Sequence, residues 1–162
     1  MSRLSARGLP IRAVSRFYAT PCFPPGAGPD YVNACIAIQP QDATQDAEKL
    51  LRVLHDIEAE FGRTRVQRWG SRTLDLDLIA MGDLVLPDLA TFRHWHDLPL
   101  DAQIGQAPDR LVLPHPRIQD RAFVLVPLCD IAPQWRHPVL GRTARALRDA
   151  LAPEEIAEIC AL

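Results

Sequence analysis

Arg63, Arg65, Arg68 and Arg72 run directly into Asp75 and Asp77 in the segment RTRVQRWGSRTLDLD, the densest chemical signal in the sequence. On a β-strand, residues two apart point to the same side, with Cβ atoms roughly 6.5–7 Å apart for a rise of about 3.3 Å per residue. Two carboxylates so placed can share one or two hard cations. Magnesium suits them, because it takes a few carboxylate oxygens, keeps several waters and completes its shell with phosphate oxygens. The arginines supply the complement, since a guanidinium stays charged and offers a planar fork to phosphate. Transfer of a phosphoryl-type group asks a protein mainly to align donor and acceptor and to neutralise charge, which metal ions and arginines do together. Neither glycine-rich phosphate loop, G-x-x-x-x-G-K-[ST] or G-x-G-x-x-G, occurs in the chain. Taken singly, D-x-D also describes the solvent face of an edge strand, and an arginine run a solvated surface. Trp69 reads equally as a core anchor or a stacking platform. A nucleic-acid-binding module, tracking a backbone with the arginines and stacking a base on Trp69, is the competing reading of the same residues.

The acids need an element to carry them. Leu74, Leu76 and Leu78 alternate with Asp75 and Asp77, which predicts a half-buried strand over 74–80 with both acids on one side. Ahead of it, Ala47, Leu50, Leu51, Leu54, Ile57 and Phe61 form one helical stripe. Asp42 can cap that helix and Gly62 can end it. Strands are expected over 11–18 and 31–38, separated by a proline- and glycine-rich loop, CFPPGAGPD. Downstream, Gly82-Asp83 turns into a short strand at 84–86, and 87–110 is a mixed stretch taken as an insertion loop. A short apolar run at 111–113 precedes helices expected over 121–129, stopped by Ala132-Pro133, and over 143–151. His94-Trp95-His96, inside the insertion, is taken as structural or incidental.

With 162 residues, 48% of them hydrophobic, the chain is long enough for one domain with its own core, expected over 1–162. A net charge of −2 gives no global pull toward nucleic acid or anionic membrane. Lys49 is the single lysine, so nearly all of the positive charge is arginine. Four cysteines, Cys22, Cys35, Cys129 and Cys160, are widely spaced, without metal-site spacing, as expected of a reduced cytoplasmic protein. No run approaches the roughly 18 apolar residues that span a bilayer, and the opening residues lack the apolar core of an export signal.

RWGSRTLDLDLI at 68–79 closely resembles the signature R-W-G-x-R-x-L-D-[IL]-D-[IL] of the 6-hydroxymethyl-7,8-dihydropterin pyrophosphokinases. YATP at 18–21, DYVNA at 30–34, IEAEFGRTR at 57–65 and LPHPRIQDRAFVLVPLCDIAP at 113–133 follow the family's order, so the resemblance covers about 11–151. It implies an α+β, ferredoxin-like sandwich, an antiparallel sheet with helices packed on it. It further implies transfer of diphosphate from ATP to 6-hydroxymethyl-7,8-dihydropterin with release of AMP in folate biosynthesis. Carried over residue by residue, Asp75 and Asp77 match the acids that hold two magnesium ions, and Arg63 and Arg72, counted with them as catalytic, match positions that bind ATP or close over it. Glu58, Arg65, Trp69, His115 and Arg121 match positions that bind ATP. Thr20, Pro21, Tyr31, Asn33 and Phe123 match the pterin pocket. The resemblance implies small-molecule substrates rather than nucleic acid or membrane, and a monomer for the complete enzyme.

One departure bears on the fold. The family opens with a strand ending G-[SA]-N-L and a helix before the strand placed here at Ile11, and this opening does not occur after Met1. The sheet is therefore expected without its first strand. Exposed sheet edges and a stripped core wall would outweigh the roughly 5–15 kcal/mol a domain holds in reserve. The residues present are expected to fold poorly or pair with a second copy, with little activity; an inactive remnant is a further alternative.

Overall fold

In the computed structural model, which describes residues 2–22, 28–39, 46–62, 74–99, 102 and 105–162, the helical stripe becomes α2, Ala47–Glu60. Its buried residues Ala47, Leu50, Leu54 and Ile57 recur at helical spacing. Asp46 caps it, accepting the Lys49 N–H at 2.6 Å, and Gly62 closes it with a positive φ of 84°. Asp42, the cap expected from sequence, lies outside the described residues. Helices and antiparallel strands together make this an α+β fold.

The chain divides into two compact units, residues 1–13 with 37–78 and residues 14–36 with 79–162. In the first, the short helix α1, Ser2–Ala6, is tied to α2: Arg7 pairs with Glu60, and Arg3 reaches the same carboxylate at 3.5 Å. Strand β1, Ile11–Val14, pairs with β4, Ile36–Ile38, and Gln39 N–H donates to Pro10 O at 3.1 Å. Residues 74–78 are extended, with Leu74, Leu76 and Leu78 half-buried and Asp75 and Asp77 exposed. The expected alternation is there, but the expected strand over 74–80 is not: among the described residues this segment joins no ladder. A side chain takes its central N–H instead, as described below.

The second unit holds a three-stranded antiparallel sheet, in the order β3 (Tyr31–Asn33), β2 (Tyr18–Thr20), β5 (Cys160–Ala161). Tyr18 pairs with Asn33 and with Ala161, and Thr20 with Tyr31. The strands expected over 11–18 and 31–38 are each broken in the middle. At the break the Ser15 hydroxyl accepts the Cys35 N–H at 2.9 Å while Ser15 N–H donates to Cys35 O at 2.9 Å, so a side chain replaces part of the ladder. Helix α4, Ala122–Ile131, packs against β2 and β3. Ile118, Leu125 and Leu147 form a core cluster with Ile79, Leu128, Trp135, Leu140 and Leu151 around it. Thr143 caps α5, Ala144–Arg148, accepting the Ala146 N–H at 3.1 Å, and α6, Pro153–Ala157, leads to β5. The stretch taken as an insertion loop carries a helix, α3, Leu89–Asp97, capped by Asp88 with Phe92 fully buried. No helix among the described residues is long and apolar enough to cross a membrane.

Candidate functional site

In the first unit, Asp75 and Asp77 project to solvent from one side of an extended segment whose leucines face inward. Glu58 comes from α2 and is 0% exposed. Its Oε1 accepts the Leu76 N–H at 2.7 Å, at the residue that separates the two acids. No group of three or more histidine, cysteine, aspartate or glutamate residues clusters as a cation site among the described residues. Two exposed carboxylates on one side are nonetheless a hard-oxygen donor set of the kind magnesium accepts when substrate phosphates and water complete its shell. The acid pair therefore fits that ion. Arg63, Arg65, Arg68, Trp69 and Arg72 lie outside the described residues.

In the second unit, Thr20 and Tyr31 are register partners on β2 and β3, and Asn33 Nδ2–H donates to Thr20 Oγ1 at 2.7 Å. Thr20 is buried, Pro21 exposed, and Tyr31 is 48% exposed. This brings together an exposed aromatic face and a side-chain amide whose orientation is held by a buried hydroxyl. Cys35, just past β3, sits with its thiol 3.7 Å from Val124 O, which ties this edge to the first turn of α4 next to Phe123. Phe123 is 38% exposed and lies under the Arg121 guanidinium, 5.6 Å from ring centroid to carbon.

His115 is held from both sides. Its N–H donates to Ile79 O at 2.8 Å and its Nδ1 accepts the Arg117 N–H at 3.1 Å. With Nδ1 occupied as an acceptor, the neutral ring carries its proton on Nε2, which lies 3.4 Å from Arg121 Nη1. Burial, then the charges of Arg121 and Arg117, push its pKa down to about 3. Around neutral pH the ring is therefore an uncharged hydrogen-bonding group beside two arginines. Arg117 itself is tied to Asp120 at 2.8 Å.

One cluster had no counterpart in the sequence reading. Asp130, on the last turn of α4, accepts the Arg16 backbone N–H at 3.1 Å, the Arg16 guanidinium at 3.0 and 3.1 Å, and the Tyr18 hydroxyl at 2.8 Å. The Arg16 hydrogen bonds chiefly hold its carboxyl down to about 2. These contacts fasten β2, which carries Thr20, to α4, which carries Phe123. His94, Trp95 and His96 sit on α3, where the His96 ring stacks on Phe92 at 5.7 Å and the His94 ring meets Trp95 edge-on at 5.6 Å.

Residues 1–133 match a family model described as 7,8-dihydro-6-hydroxymethylpterin-pyrophosphokinase. The chain is 40% identical over 136 residues to the 2-amino-4-hydroxy-6-hydroxymethyldihydropteridine pyrophosphokinase of Synechocystis sp., covering 84% of this chain and 57% of that protein. The protein of that name from Pseudomonas aeruginosa is 40% identical over 126 residues, 78% of this chain and 64% of its own length. A third, from Methylorubrum extorquens, is 35% identical over 145 residues, 90% and 74% respectively. The chain thus spans 57% and 64% of the length of the first two relatives.

Proposed function

Because this chain belongs to the 7,8-dihydro-6-hydroxymethylpterin-pyrophosphokinase family, we propose that it transfers diphosphate from ATP to 6-hydroxymethyl-7,8-dihydropterin, releasing AMP, as a cytoplasmic step of folate biosynthesis. The observation that carries this reading is the acid pair: Asp75 and Asp77, inside the family's signature segment, both reach solvent from one side of the backbone.

In the reaction the hydroxymethyl oxygen forms a bond to the β-phosphorus and gives up its proton to solvent, the bond from that phosphorus to the oxygen bridging it to the α-phosphorus breaks, and AMP leaves with that oxygen. Asp75 and Asp77 would hold two magnesium ions. When bound, magnesium neutralises charge on the transferring phosphates and fixes their geometry. Arg63 and Arg72 would hold the transferring group's oxygens, and Arg65 and Trp69 the remainder of ATP. His115, uncharged, and Arg121 form a hydrogen-bonding and charged pair suited to a phosphate. Tyr31 and Phe123 would offer aromatic faces to a flat pterin and Asn33 would read its polar edge, with Thr20 and Pro21 at the remaining positions matched to the family's pterin pocket.

Binding separates this proposal from the nucleic-acid reading. The enzyme binds an ATP analogue with a methylene between the α- and β-phosphates only when magnesium is present, and the Asp77→Ala variant loses that magnesium-supported binding. A nucleic-acid module instead binds single strands in a steeply salt-dependent way and ignores both magnesium and pterin. Tight, magnesium-independent nucleotide binding by wild type, unchanged in Asp77→Ala, would refute the proposal.

A further inference from the structure

A carboxylate with no solvent exposure is an expensive residue to place on a helix, so its contacts indicate what it is for. Glu58 lies on the buried face of α2 beside Ile57, and both are essentially inaccessible. Among its contacts, its Oε1 accepts the Leu76 N–H at 2.7 Å. Leu76 is the residue between Asp75 and Asp77.

That position gives the bond its leverage. The Leu76 N–H belongs to the peptide plane joining Asp75 to Leu76, so holding it constrains ψ of Asp75 and φ of Leu76 together. Those are two of the four torsions, with ψ of Leu76 and φ of Asp77, that relate the Cβ direction of Asp75 to that of Asp77. In a sheet the ladder would do this work, but residues 74–78 join no ladder among the described residues. A side-chain acceptor on a packed helix is a rigid substitute for a neighbouring strand.

We infer that Glu58 is a positioning residue for the acid pair: through the Leu76 N–H it sets the spacing and common direction of Asp75 and Asp77, and so their affinity for a divalent cation. This rests on the proposed role of the acid pair and adds the group that holds it in shape.

The test compares Glu58→Gln, which keeps a carbonyl acceptor at the same reach, with Glu58→Ala, which removes it. Glu58→Asp, which keeps the charge but shortens the reach, serves if Glu58→Ala does not fold. Two quantities are read on the full chain: hydrogen exchange of the Leu76 amide, and magnesium affinity in the presence of the α,β-methylene ATP analogue. Glu58→Gln is expected to keep the amide protected and to bind magnesium within threefold of wild type. Glu58→Ala or Glu58→Asp is expected to speed Leu76 exchange at least tenfold and weaken magnesium binding at least tenfold. Faster Leu76 exchange with unchanged magnesium affinity would overturn the inference. So would a Glu58→Gln variant that keeps Leu76 protected yet loses magnesium as completely as Asp77→Ala, for then Glu58 acts as a ligand. Absence of magnesium-dependent binding in wild type would remove the acid pair's role itself, and with it this inference.

Discussion

Acid should destabilise the second unit through His137, by an amount that its surroundings set. The imidazole is 0% exposed, packed between Phe92 and Trp135 with ring centroids 5.5 and 5.6 Å away. Its Nδ1 accepts the N–H groups of Val139 and Leu140, each at 3.2 Å, so the neutral ring carries its proton on Nε2. Protonation must place a second proton on Nδ1, against two donors, and leave a charge in the core near His96. Burial, then His96, accordingly pushes the pKa down to about 4 from the usual 6.5. Since the folded pKa is the lower one, the unfolded chain takes up the proton first as pH falls. The contribution is complete above about pH 6.5, is lost as pH falls toward 4, and levels off below that. A depression of this size corresponds to about 3 kcal/mol at roughly 1.4 kcal/mol per pKa unit. His115, also held neutral, adds a loss of the same sign over a window reaching about pH 3.

The variant that isolates the effect is His137→Asn, whose side-chain carbonyl can take the place of Nδ1 while removing the titration. Urea unfolding followed by tryptophan fluorescence between pH 7.5 and 4 reads both terms. At pH 7.5 the variant should be less stable by about 1–3 kcal/mol, from lost ring packing. Its pH dependence should be shallower than wild type's by close to one proton. An unchanged slope in His137→Asn, or a His137 ring resonance that titrates near 6.5 in the folded protein, would refute this reasoning.

Asp130→Ala removes the acceptor that Arg16 and Tyr18 share. Because Arg16 is largely exposed, the loss at neutral pH should be modest, about 1 kcal/mol by chemical denaturation. The Asp130 carboxyl, held down to about 2, contributes fully above about pH 4 and loses its contribution as pH falls through 2, so the variant's penalty should fade in strong acid. Asp46→Ala strips the α2 cap and should lower the urea midpoint measurably, with Asp46→Asn restoring most of the loss. Phe123→Ala should weaken pterin binding about tenfold or more, the scale of one lost stacking face, while leaving binding of the methylene ATP analogue within about twofold; calorimetric titration with each ligand separates the two.

How much of this was legible in sequence varied with the range of the interactions involved. The same-side exposure of Asp75 and Asp77 was readable because alternation belongs to extended backbone, whatever lies beside it. The ladder expected there was not readable: whether the Leu76 N–H meets a strand or a buried glutamate depends on residues 18 positions away. Both middle breaks, at Ser15 and Cys35, come from a serine competing for backbone groups, which leaves the alternation around it almost unchanged. Helix α3 did carry a local signal, the Asp88 cap followed by Leu89, Phe92 and Trp95 at three-residue steps, but its polar and histidine interior diluted the stripe. The Asp130 cluster joins residues 112 and 114 positions apart, and no local pattern announces such a contact. Of the residues matched to ATP, Glu58, His115 and Arg121 are described, and Glu58 is the one found wholly inside.

Which bond of ATP breaks is read directly from the identity of the products. The chain is incubated with ATP, magnesium and 6-hydroxymethyl-7,8-dihydropterin, and the nucleotide products are separated and counted. AMP should form in equal amount to a diphosphorylated pterin, with none in Asp77→Ala or without magnesium. ADP as the product, or AMP formed equally well in the absence of pterin, would contradict the proposed diphosphate transfer.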